Sequence, residues 1–246
     1  MTTIRLDKLL SNLGYGSRKE VAALVRQGRV LRRGVVIKRH DQAIILEDAR
    51  SGQLVLDGEA LDPPSPFTVM INKPSGYICS HDEKGKRVYD LLPPRWQLRN
   101  PQLSCAGRLD KDSTGQVIIT DDGDVLHRII HPKNHATKHY AVTLEKPLEG
   151  NEAELFVTGE FLMQGDVKPL KPAFWKQEDA ASGVMQLQEG RFHQIRRMFE
   201  TLGNTVIALY RFQTGGLPLG NLNEGEYRVL SVEDINAIWQ PIVKQQ

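Results

Sequence analysis

The sequence predicts an α+β protein with a small first domain and a larger second one, on three observations. The first 60 residues indicate two short helices and a hairpin, a proline-rich stretch DPPSPF follows, and strand-like runs with interspersed helical runs fill the remainder. We place the boundary at DPPSPF and expect domains at 1–62 and 67–246. A chain of 246 residues can bury a sizeable core.

The elements of the first domain follow from spacing and capping signals. Leucines recur at helical spacing from Leu6 to Leu13, and two glycines follow them, which predicts a first helix. The segment SRKE, which begins at Ser17, has the form of a capping box and predicts the start of a second helix. The segment RVLRRGVVIK then predicts a hairpin with strands at Val30–Leu31 and Val35–Ile37.

The second domain combines short strands with a few helices. Runs rich in β-branched and aromatic residues predict strands at Phe67–Ile71, Val117–Thr120, Tyr140–Leu144, Ala173–Trp175, Val184–Leu187 and Thr205–Leu209. Helical runs interrupt them at about 124–130, 151–157, 193–202 and 232–239, the last behind the capping residue Ser231. This mixture predicts a mixed, mostly antiparallel sheet flanked by helices.

The charges are distributed unevenly along the first domain. Residues 1–40 hold ten lysines and arginines against two acids, whereas residues 41–62 hold six acids against one arginine. A basic block indicates a polyanion partner, but a merely solvated basic face has the same composition. Charge alone leaves both interpretations open.

Several function classes are disfavoured. No run of 18 or more apolar residues exists, which excludes a transmembrane helix, and MTTIRLDKLLSNLGYG lacks the features of a secretory signal. Cys79 and Cys105 are too few for a disulfide scaffold and lack zinc-site spacing, so we expect reduced thiols in a cytoplasmic protein. The sequence shows no dinucleotide fingerprint or P-loop, and its seven histidines show no metal-ligand spacing.

The stretch CAGRLDKDSTG places two carboxylates close to an arginine, with no helical or strand period. One interpretation is a calcium loop starting at Asp110, but this loop lacks the flanking helices and the final glutamate of an EF-hand. A second is a turn that Asp110 or Asp112 caps, with Arg108 in a surface ion pair. A third is that Asp110 is a catalytic carboxylate held by a cation from elsewhere in the chain. Local sequence leaves the last two open.

The segment RLDKLLSNLGYGSRKEVAALVRQGRVLRRG resembles the S4-like RNA-binding domain. The resemblance implies that the second helix and the loop after it lie on structured RNA. Basic side chains there would neutralise phosphates, which is a salt-dependent and largely sequence-independent attraction. The residues concerned are Arg18, Lys19, Arg26, Arg29, Arg32 and Arg33.

Four separated stretches follow one another between about residues 68 and 230: NKPSGYICS, GRLDKDSTG, KHY and LQEGRFHQIRRMF. Together they resemble the pseudouridine synthases, specifically the group named for RsuA and RluB. The resemblance implies the pseudouridine synthase fold and isomerisation of a uridine in ribosomal RNA, with no cofactor and no metal. GYICS, DDGDVLHRI and KPLKPA resemble the small-subunit (16S) enzymes more than the large-subunit (23S) ones. We expect a monomer that acts on 16S rRNA, naked or in an assembling subunit.

The resemblance also assigns roles to side chains. Asp110 is the catalytic carboxylate, acting as nucleophile, as stabiliser of an electron-poor sugar or as base at C2′. Arg196 is the cation that keeps this carboxylate ionised against the effect of burial. A stripe that begins at Ile195 predicts a docked helix with Arg196 at the edge of its buried face. Tyr140 stacks on the target base, although strand propensity alone places it in the core, and Leu187 packs beneath the site.

Two further basic residues are expected at the RNA. Arg108 fills the place of the flipped base or holds the adjoining phosphate. Lys73 contacts phosphate or, equally well, supports a turn. Gln116 and Ser113 depart from the family pattern, and Gln116 needs a hydrogen-bond partner if it is buried.

A non-catalytic rRNA-binding or ribosome-assembly factor is the competing hypothesis. Such a factor can keep the fold while losing the chemistry. The presence of Asp110, Tyr140 and Arg196 together favours the enzyme, since a degenerate member is expected to have lost at least one of them.

Overall fold

The computed structural model describes residues 2–131 and 136–240. The chain forms two compact units. The first comprises residues up to Thr68 together with Leu92–Ser104 and Thr120–Gly123, and the second comprises Val69–Leu91, Cys105–Ile119 and residues from Asp124 onward. The domain bounds 1–62 and 67–246 stay a prediction.

The N-terminal part of the first unit contains three helices and six strands. The helices are α1 (Leu6–Asn12), α2 (Arg18–Arg26) and α3 (Leu46–Arg50). The strands are β1 (Thr3–Arg5), β2 (Val30–Arg32), β3 (Val35–Val36), β4 (Ala43–Ile45), β5 (Leu54–Leu56) and β6 (Glu59–Ala60). Strands β1 and β4 pair with each other, and the others form a sheet in the order β3-β2-β5-β6.

Local signals explain the start of this unit. The Ser17 hydroxyl accepts from the Glu20 amide at 3.4 Å, and the Glu20 carboxylate accepts from the Ser17 amide at 2.6 Å, so the expected capping box is present. The apolar sides of the two helices pack into a common core with residues of the sheet, including Leu6, Val21 and Val30. The hairpin also forms, but β5 pairs with it and extends the sheet beyond the prediction.

The proline-rich stretch is held by contacts inside the first unit. The Asp62 amide donates to the Tyr15 hydroxyl at 3.1 Å, and the Asp62 carboxylate accepts from Arg95 Nε at 2.7 Å. Arg95 belongs to a short 3-10 helix at Pro94–Leu98. Arg99, just after it, donates to the Pro63 carbonyl at 2.9 Å. Composition predicts a break here, and the tertiary contacts make it an ordered segment.

The elements after the break are nine strands and four helices in the described part of the chain, with one further 3-10 helix at Val88–Leu91. The strands are β7 (Thr68–Lys73), β8 (Ser104–Cys105), β9 (Thr114–Thr120), β10 (Lys138–Leu144), β11 (Phe174–Asp179), β12 (Ser182–Leu187), β13 (Val206–Thr214), β14 (Leu217–Pro218) and β15 (Tyr227–Val229). The helices are α4 (Gly123–Ile130), α5 (Glu152–Val157), α6 (Gln194–Thr201) and α7 (Val232–Ala237).

These strands form one mixed sheet, as the sequence predicts. Its order is β11-β12-β10-β13-β9-β7-β15, with β14 beside β13 and β8 beside β9. Strand β9 runs parallel to β13, whereas β13, β10, β12 and β11 pair antiparallel in succession. Ile195, Met198 and Phe199 are buried, so α6 docks on the core along the expected stripe.

Two findings bear on the excluded function classes. No helix among the described residues is long and apolar enough to cross a membrane. Cys79 and Cys105 are both free thiols. The hydrogen bond from Cys105 lowers the pKa of Cys79, against the effect of burial, and the same hydrogen bond raises the pKa of Cys105.

Candidate active site

Asp110 lies in the loop between β8 and β9, with the nitrogen of a different side chain facing each of its carboxylate oxygens. Arg196 Nε is 3.7 Å from Oδ2, and His193 Nε2 is 3.5 Å from Oδ1. The Asp110 side chain is 27% exposed, so the free protein does not enclose it. The juxtaposition of Asp110 and Arg196 that the resemblance implies is therefore present, but the expected dry surroundings are incomplete without a bound substrate.

Arg196 is fixed by its terminal nitrogens. Nη1 donates to the Val206 carbonyl at 2.9 Å, and Nη2 donates to the Ser113 hydroxyl at 3.3 Å. Nη2 also lies 2.9 Å from the Asp112 carboxylate. Nε is buried, and it has no hydrogen-bond partner among the described residues. The arginine thus presents its unpaired Nε toward Asp110 at ion-pair distance, slightly too far for a hydrogen bond.

The structure of the Asp110 loop does not match either non-catalytic interpretation, the calcium loop or the turn capped by an aspartate. Residues 114–120 form a strand, and β8 precedes the loop where an EF-hand needs a helix, so the calcium interpretation is wrong. The Ser113 amide donates to the Asp110 carbonyl at 3.2 Å, so main chain closes the turn. The Asp112 carboxylate pairs with Arg196, and Arg108 is exposed and forms no salt bridge with any described residue.

A buried arginine that sequence reasoning missed braces this loop. Arg211 on β13 donates from Nε to the Gln116 carbonyl at 2.6 Å and from Nη2 to the Gly107 carbonyl at 3.1 Å. The β13 main chain also lies so close to Gly115 that a Cβ there would be 2.2 Å from the Arg211 carbonyl oxygen. An arginine inside the otherwise apolar strand IALYRF was the available signal, because a buried charge requires partners.

The amide nitrogen of Gln116 has a hydrogen-bond partner, whereas its buried amide oxygen has none among the described residues. Its side chain is fully buried, and Nε2 donates to the Leu217 carbonyl at 2.9 Å and contacts the Met70 sulfur at 3.0 Å. This departure from the family pattern is accommodated by the sheet and does not touch Asp110.

Tyr140 lies on β10, in register with Arg211 of β13 and Met185 of β12. The Arg211 guanidinium lies 6.0 Å from the centre of the Tyr140 ring. Leu187 is buried and in register with Lys138, two residues before Tyr140, so it shares the same face of the sheet. Arg211 therefore links Tyr140 on one side to the main chain of the Asp110 loop on the other.

Lys138 lies on β10 two residues before Tyr140, on the same face of the sheet. Its ammonium donates to the Ile129 carbonyl at 3.3 Å. Burial lowers its pKa to about 8, and the positive charge of Arg211 acts in the same direction.

Two family models match the chain. The model described as RNA pseudouridylate synthase matches residues 68–201, and the S4 domain matches residues 4–41. The first match spans more than half of the 246 residues. The chain belongs to the RNA pseudouridylate synthase family. The expected enzyme class and the expected fold, an S4 domain followed by a pseudouridine synthase domain, are thereby confirmed.

Proteins of similar sequence align with nearly the whole length of the synthase. A relative from Pasteurella multocida (strain Pm70), named ribosomal small subunit pseudouridine synthase A, is 37% identical over 94% of this chain and 98% of its own. A relative from Bacillus subtilis (strain 168), named uncharacterized RNA pseudouridine synthase YtzG, is 36% identical over 97% of this chain and 99% of its own. A crystal structure of a pseudouridylate synthase is 35% identical, covers 96% of this chain and 99% of its own, and superimposes with a TM-score of 0.66.

The second unit of the synthase contains Lys73, whose ammonium is used internally. The side chain is fully buried, and Nζ donates to the carbonyls of Pro74, Tyr77 and Lys111 at 3.0, 2.8 and 3.1 Å. Burial lowers its pKa. Of the two roles considered for Lys73, these contacts support the structural one, because a phosphate cannot reach an ammonium enclosed by three carbonyls.

The first unit of the synthase presents basic residues on one helix. The three residues concerned belong to α2, are exposed and form no salt bridge within 2–131 or 136–240: Arg18, Lys19 and Arg26. Their free charges fit the phosphate contacts that the resemblance implies.

The other three arginines expected at RNA already have acidic partners. Arg29 Nε donates to the Asp57 carboxylate at 2.7 Å, and Arg33 Nη2 donates to the Asp48 carboxylate at 2.9 Å. Arg32 contacts the same Asp48 carboxylate. The acidic stretch after residue 40 therefore neutralises part of the basic stretch before it, which the linear sequence does not reveal.

Proposed function

We propose that this protein isomerises one uridine of small-subunit ribosomal RNA to pseudouridine, acting as a monomer in the cytoplasm. Family membership supports the reaction. The S4 match supports RNA binding, and the relative named ribosomal small subunit pseudouridine synthase A supports the choice of rRNA. The observation that carries the proposal is the pairing of Asp110 with Arg196, two residues far apart in sequence that the fold brings to 3.7 Å.

The chemistry requires one carboxylate and no redox partner. The bond between C1′ and N1 of uridine breaks, the uracil turns, and C5 bonds to C1′. The proton lost from C5 is balanced by the proton gained at N1. Asp110 supplies the carboxylate for this sequence, and Arg196 keeps it ionised when the RNA covers the exposed part of the side chain.

Tyr140 and Arg108 complete the proposed site. We assign the Tyr140 ring as the aromatic face for the displaced base, although only 9% of the residue is exposed in the free protein. Arg108 is exposed two residues before Asp110 and is free to hold the phosphate next to the flipped nucleotide or to fill the vacated place in the stack. Leu187 packs beneath the same face.

The experiment treats 16S and 23S rRNA, transcribed without modifications, with the protein. Carbodiimide labelling followed by primer extension then locates any pseudouridine as a new stop. We expect one new stop in 16S rRNA with the wild-type protein and none with Asp110→Asn, which keeps the shape of the side chain but removes the charge.

Asp112→Asn is the matched control, because Asp112 contacts the same arginine but is 66% exposed. An exposed ion pair contributes little, so this variant should keep turnover within about tenfold of the wild type. A stop in 23S rRNA alone would replace the proposed substrate by large-subunit rRNA. RNA binding without any stop would support the non-catalytic assembly factor, and a stop with Asp110→Asn would remove the proposed role of this residue.

A further inference from the structure

Phe192 is a large apolar side chain that the fold leaves exposed beside the proposed active site. The residue is 72% exposed. Its ring stacks on the ring of His193, with the centroids 3.8 Å apart and the planes 15° from parallel. Exposing a phenylalanine to water costs free energy. Stacking on the His193 ring lowers this cost, because it covers one face of the phenyl ring.

His193 connects this exposed ring to the catalytic carboxylate. Its Nε2 lies 3.5 Å from Asp110 Oδ1 while its ring face carries Phe192. The backbone of His193 has φ 49° and ψ 35°, a left-handed conformation that a side-chain-bearing residue rarely adopts. Unusual backbone conformations of this kind concentrate at functional sites, where surrounding contacts maintain them.

The chain on both sides of Phe192 is anchored. Arg191 donates to the Asp166 carboxylate at 2.9 Å and to the Lys168 carbonyl at 2.8 Å, and Arg197 contacts the same Asp166 carboxylate. The Arg197 amide donates to the His193 carbonyl at 2.9 Å. These contacts hold the main chain on both sides of Phe192, and the contact of His193 with Asp110 keeps this segment beside the carboxylate.

A flat, exposed aromatic surface at this place suits a nucleobase. RNA-binding proteins commonly stack unpaired bases on aromatic side chains, and such stacking accepts any base because every base has a π face. The 3.8 Å spacing of the two rings is close to the step of about 3.4 Å between stacked bases. A base laid on Phe192 would continue the stack that His193 begins, one nucleotide away from a sugar held at Asp110.

We infer that Phe192, supported by His193, is a stacking platform for the base next to the target uridine. This inference rests on the proposed function. The platform holds the flanking nucleotide after the target has been flipped out, so that the sugar of the target stays aligned with Asp110. The flanking base does not react, but its binding energy then helps to orient C1′ of the target uridine.

The test compares variants of Phe192 by their kcat/KM on a short RNA that contains the mapped uridine. Phe192→Ala and Phe192→Leu should both lower kcat/KM by about tenfold, because base stacking on an aromatic side chain contributes a factor of that order or more. Phe192→Trp should keep the wild-type value. Leucine retains the apolar character, so its failure to substitute would show that the flat face is needed.

Phe174→Ala is the matched control, since Phe174 is another exposed phenylalanine, 53% accessible, on the edge strand β11. It should leave kcat/KM unchanged. Thermal melting of all variants checks that the exposed positions leave the fold intact.

A second set of RNAs carries an abasic nucleotide immediately before or immediately after the target. On one of these two RNAs, wild type and Phe192→Ala should turn over at equal rates, because the base that the platform holds is missing. An equal loss from Phe192→Ala on intact and abasic RNAs, or no loss on any RNA, would overturn the platform while leaving the enzyme in place. No turnover of intact RNA by the wild type would overturn the proposed function and the platform together.

Discussion

Asp110, the proposed catalytic residue, lies between two nitrogen-bearing side chains. One carboxylate oxygen faces Arg196 and the other faces His193, at 3.7 and 3.5 Å. Arg196 is shared, because its Nη2 lies closer to Asp112 than its Nε lies to Asp110. In the free protein Arg196 therefore contacts two carboxylates. Its contact with Asp110 is the longer one, so the Asp110 side chain can still shift toward a bound substrate.

Arg196→Ala should lower turnover at least about a hundredfold, because it removes the preorganised charge beside the proposed catalytic carboxylate. The free energy of unfolding should fall by only about 1–2 kcal/mol, since the hydrogen bonds that the variant cannot form are partly accessible to water. A turnover assay and a thermal melt on the same preparation measure both.

Arg196→Lys tests whether charge alone suffices. Lysine cannot reproduce the fork that reaches Val206, Ser113 and Asp112 at once, so we expect it to remain strongly impaired. An Arg196→Ala protein with wild-type turnover would show that Arg196 has no part in the reaction.

At the scale of elements, the neighbouring strands β10, β13 and β9 bring distant motifs together. Arg211 of β13 donates to carbonyls on both sides of the Asp110 turn and lies over Tyr140 of β10. The close approach of β13 to Gly115 requires a residue without a Cβ. Placement of the Asp110 loop therefore depends on a strand that contributes none of the proposed reacting groups.

The buried Lys138 of β10 predicts a pH dependence of stability with a definite sign. Its pKa is about 8 in the folded protein, below the ordinary 10.5. Between these values the unfolded chain binds more protons than the folded one, so stability should rise with pH. The contribution is a constant penalty below about pH 8 and disappears as pH approaches 10.5.

Lys138→Met should remove this dependence. The unfolding free energy of the wild type minus that of the variant should be flat below pH 8 and increase by roughly 3 kcal/mol up to pH 10.5. Denaturant melts of both proteins at several pH values measure it. A difference that stays flat or decreases above pH 8 would contradict the burial of the Lys138 ammonium.

At the scale of the whole molecule, charge is organised differently in space than along the chain. The sequence has a basic block before residue 41 and an acidic block after it. Folding pairs Arg29 with Asp57 and both Arg32 and Arg33 with Asp48. Among the six basic residues expected at RNA in this unit, the three without a salt bridge to a described residue all lie on α2, and they define the surface proposed for phosphate contact.

The triple variant Arg18→Ala, Lys19→Ala, Arg26→Ala should weaken RNA binding without preference for sequence. The slope of log K against log salt should fall in magnitude by about 1 for each phosphate that the protein no longer neutralises, and thus by about 3. Filter binding to rRNA at several salt concentrations between about 50 and 200 mM measures this slope.

Arg39→Ala is the control for this experiment, because Arg39 is exposed in the same unit but pairs with Asp41. Its salt slope should change by less than about 1. Arg39→Ala removes one charge and the triple variant removes three, so a slope change from Arg39→Ala that is a full third of the change from the triple variant would show that RNA senses only total charge and that α2 has no special role.

Much of the architecture follows from local physical chemistry. Capping at Ser17 and Ser231, the leucine spacing of α1 and the apolar stripe of α6 each depend on residues within one or two turns, and all appear as expected. Short strands such as β5 and β15 were not predicted, because two- or three-residue strands carry too little pattern and are defined by their partners.

By itself the sequence determined the fold class and the order of the motifs, since these depend on residue type and near-neighbour spacing. Its resemblance to a known family singled out Asp110 as the proposed catalytic acid. Only the tertiary structure decided which charges remain available. It enclosed Lys73 in three carbonyls, paired three of the eight basic residues expected at RNA with acids, and placed Arg211 behind the Asp110 loop. It also set His193 and Phe192 beside Asp110. The physical reason is that a charge or a ring acts through its distance to groups far along the chain, and that distance exists only after folding.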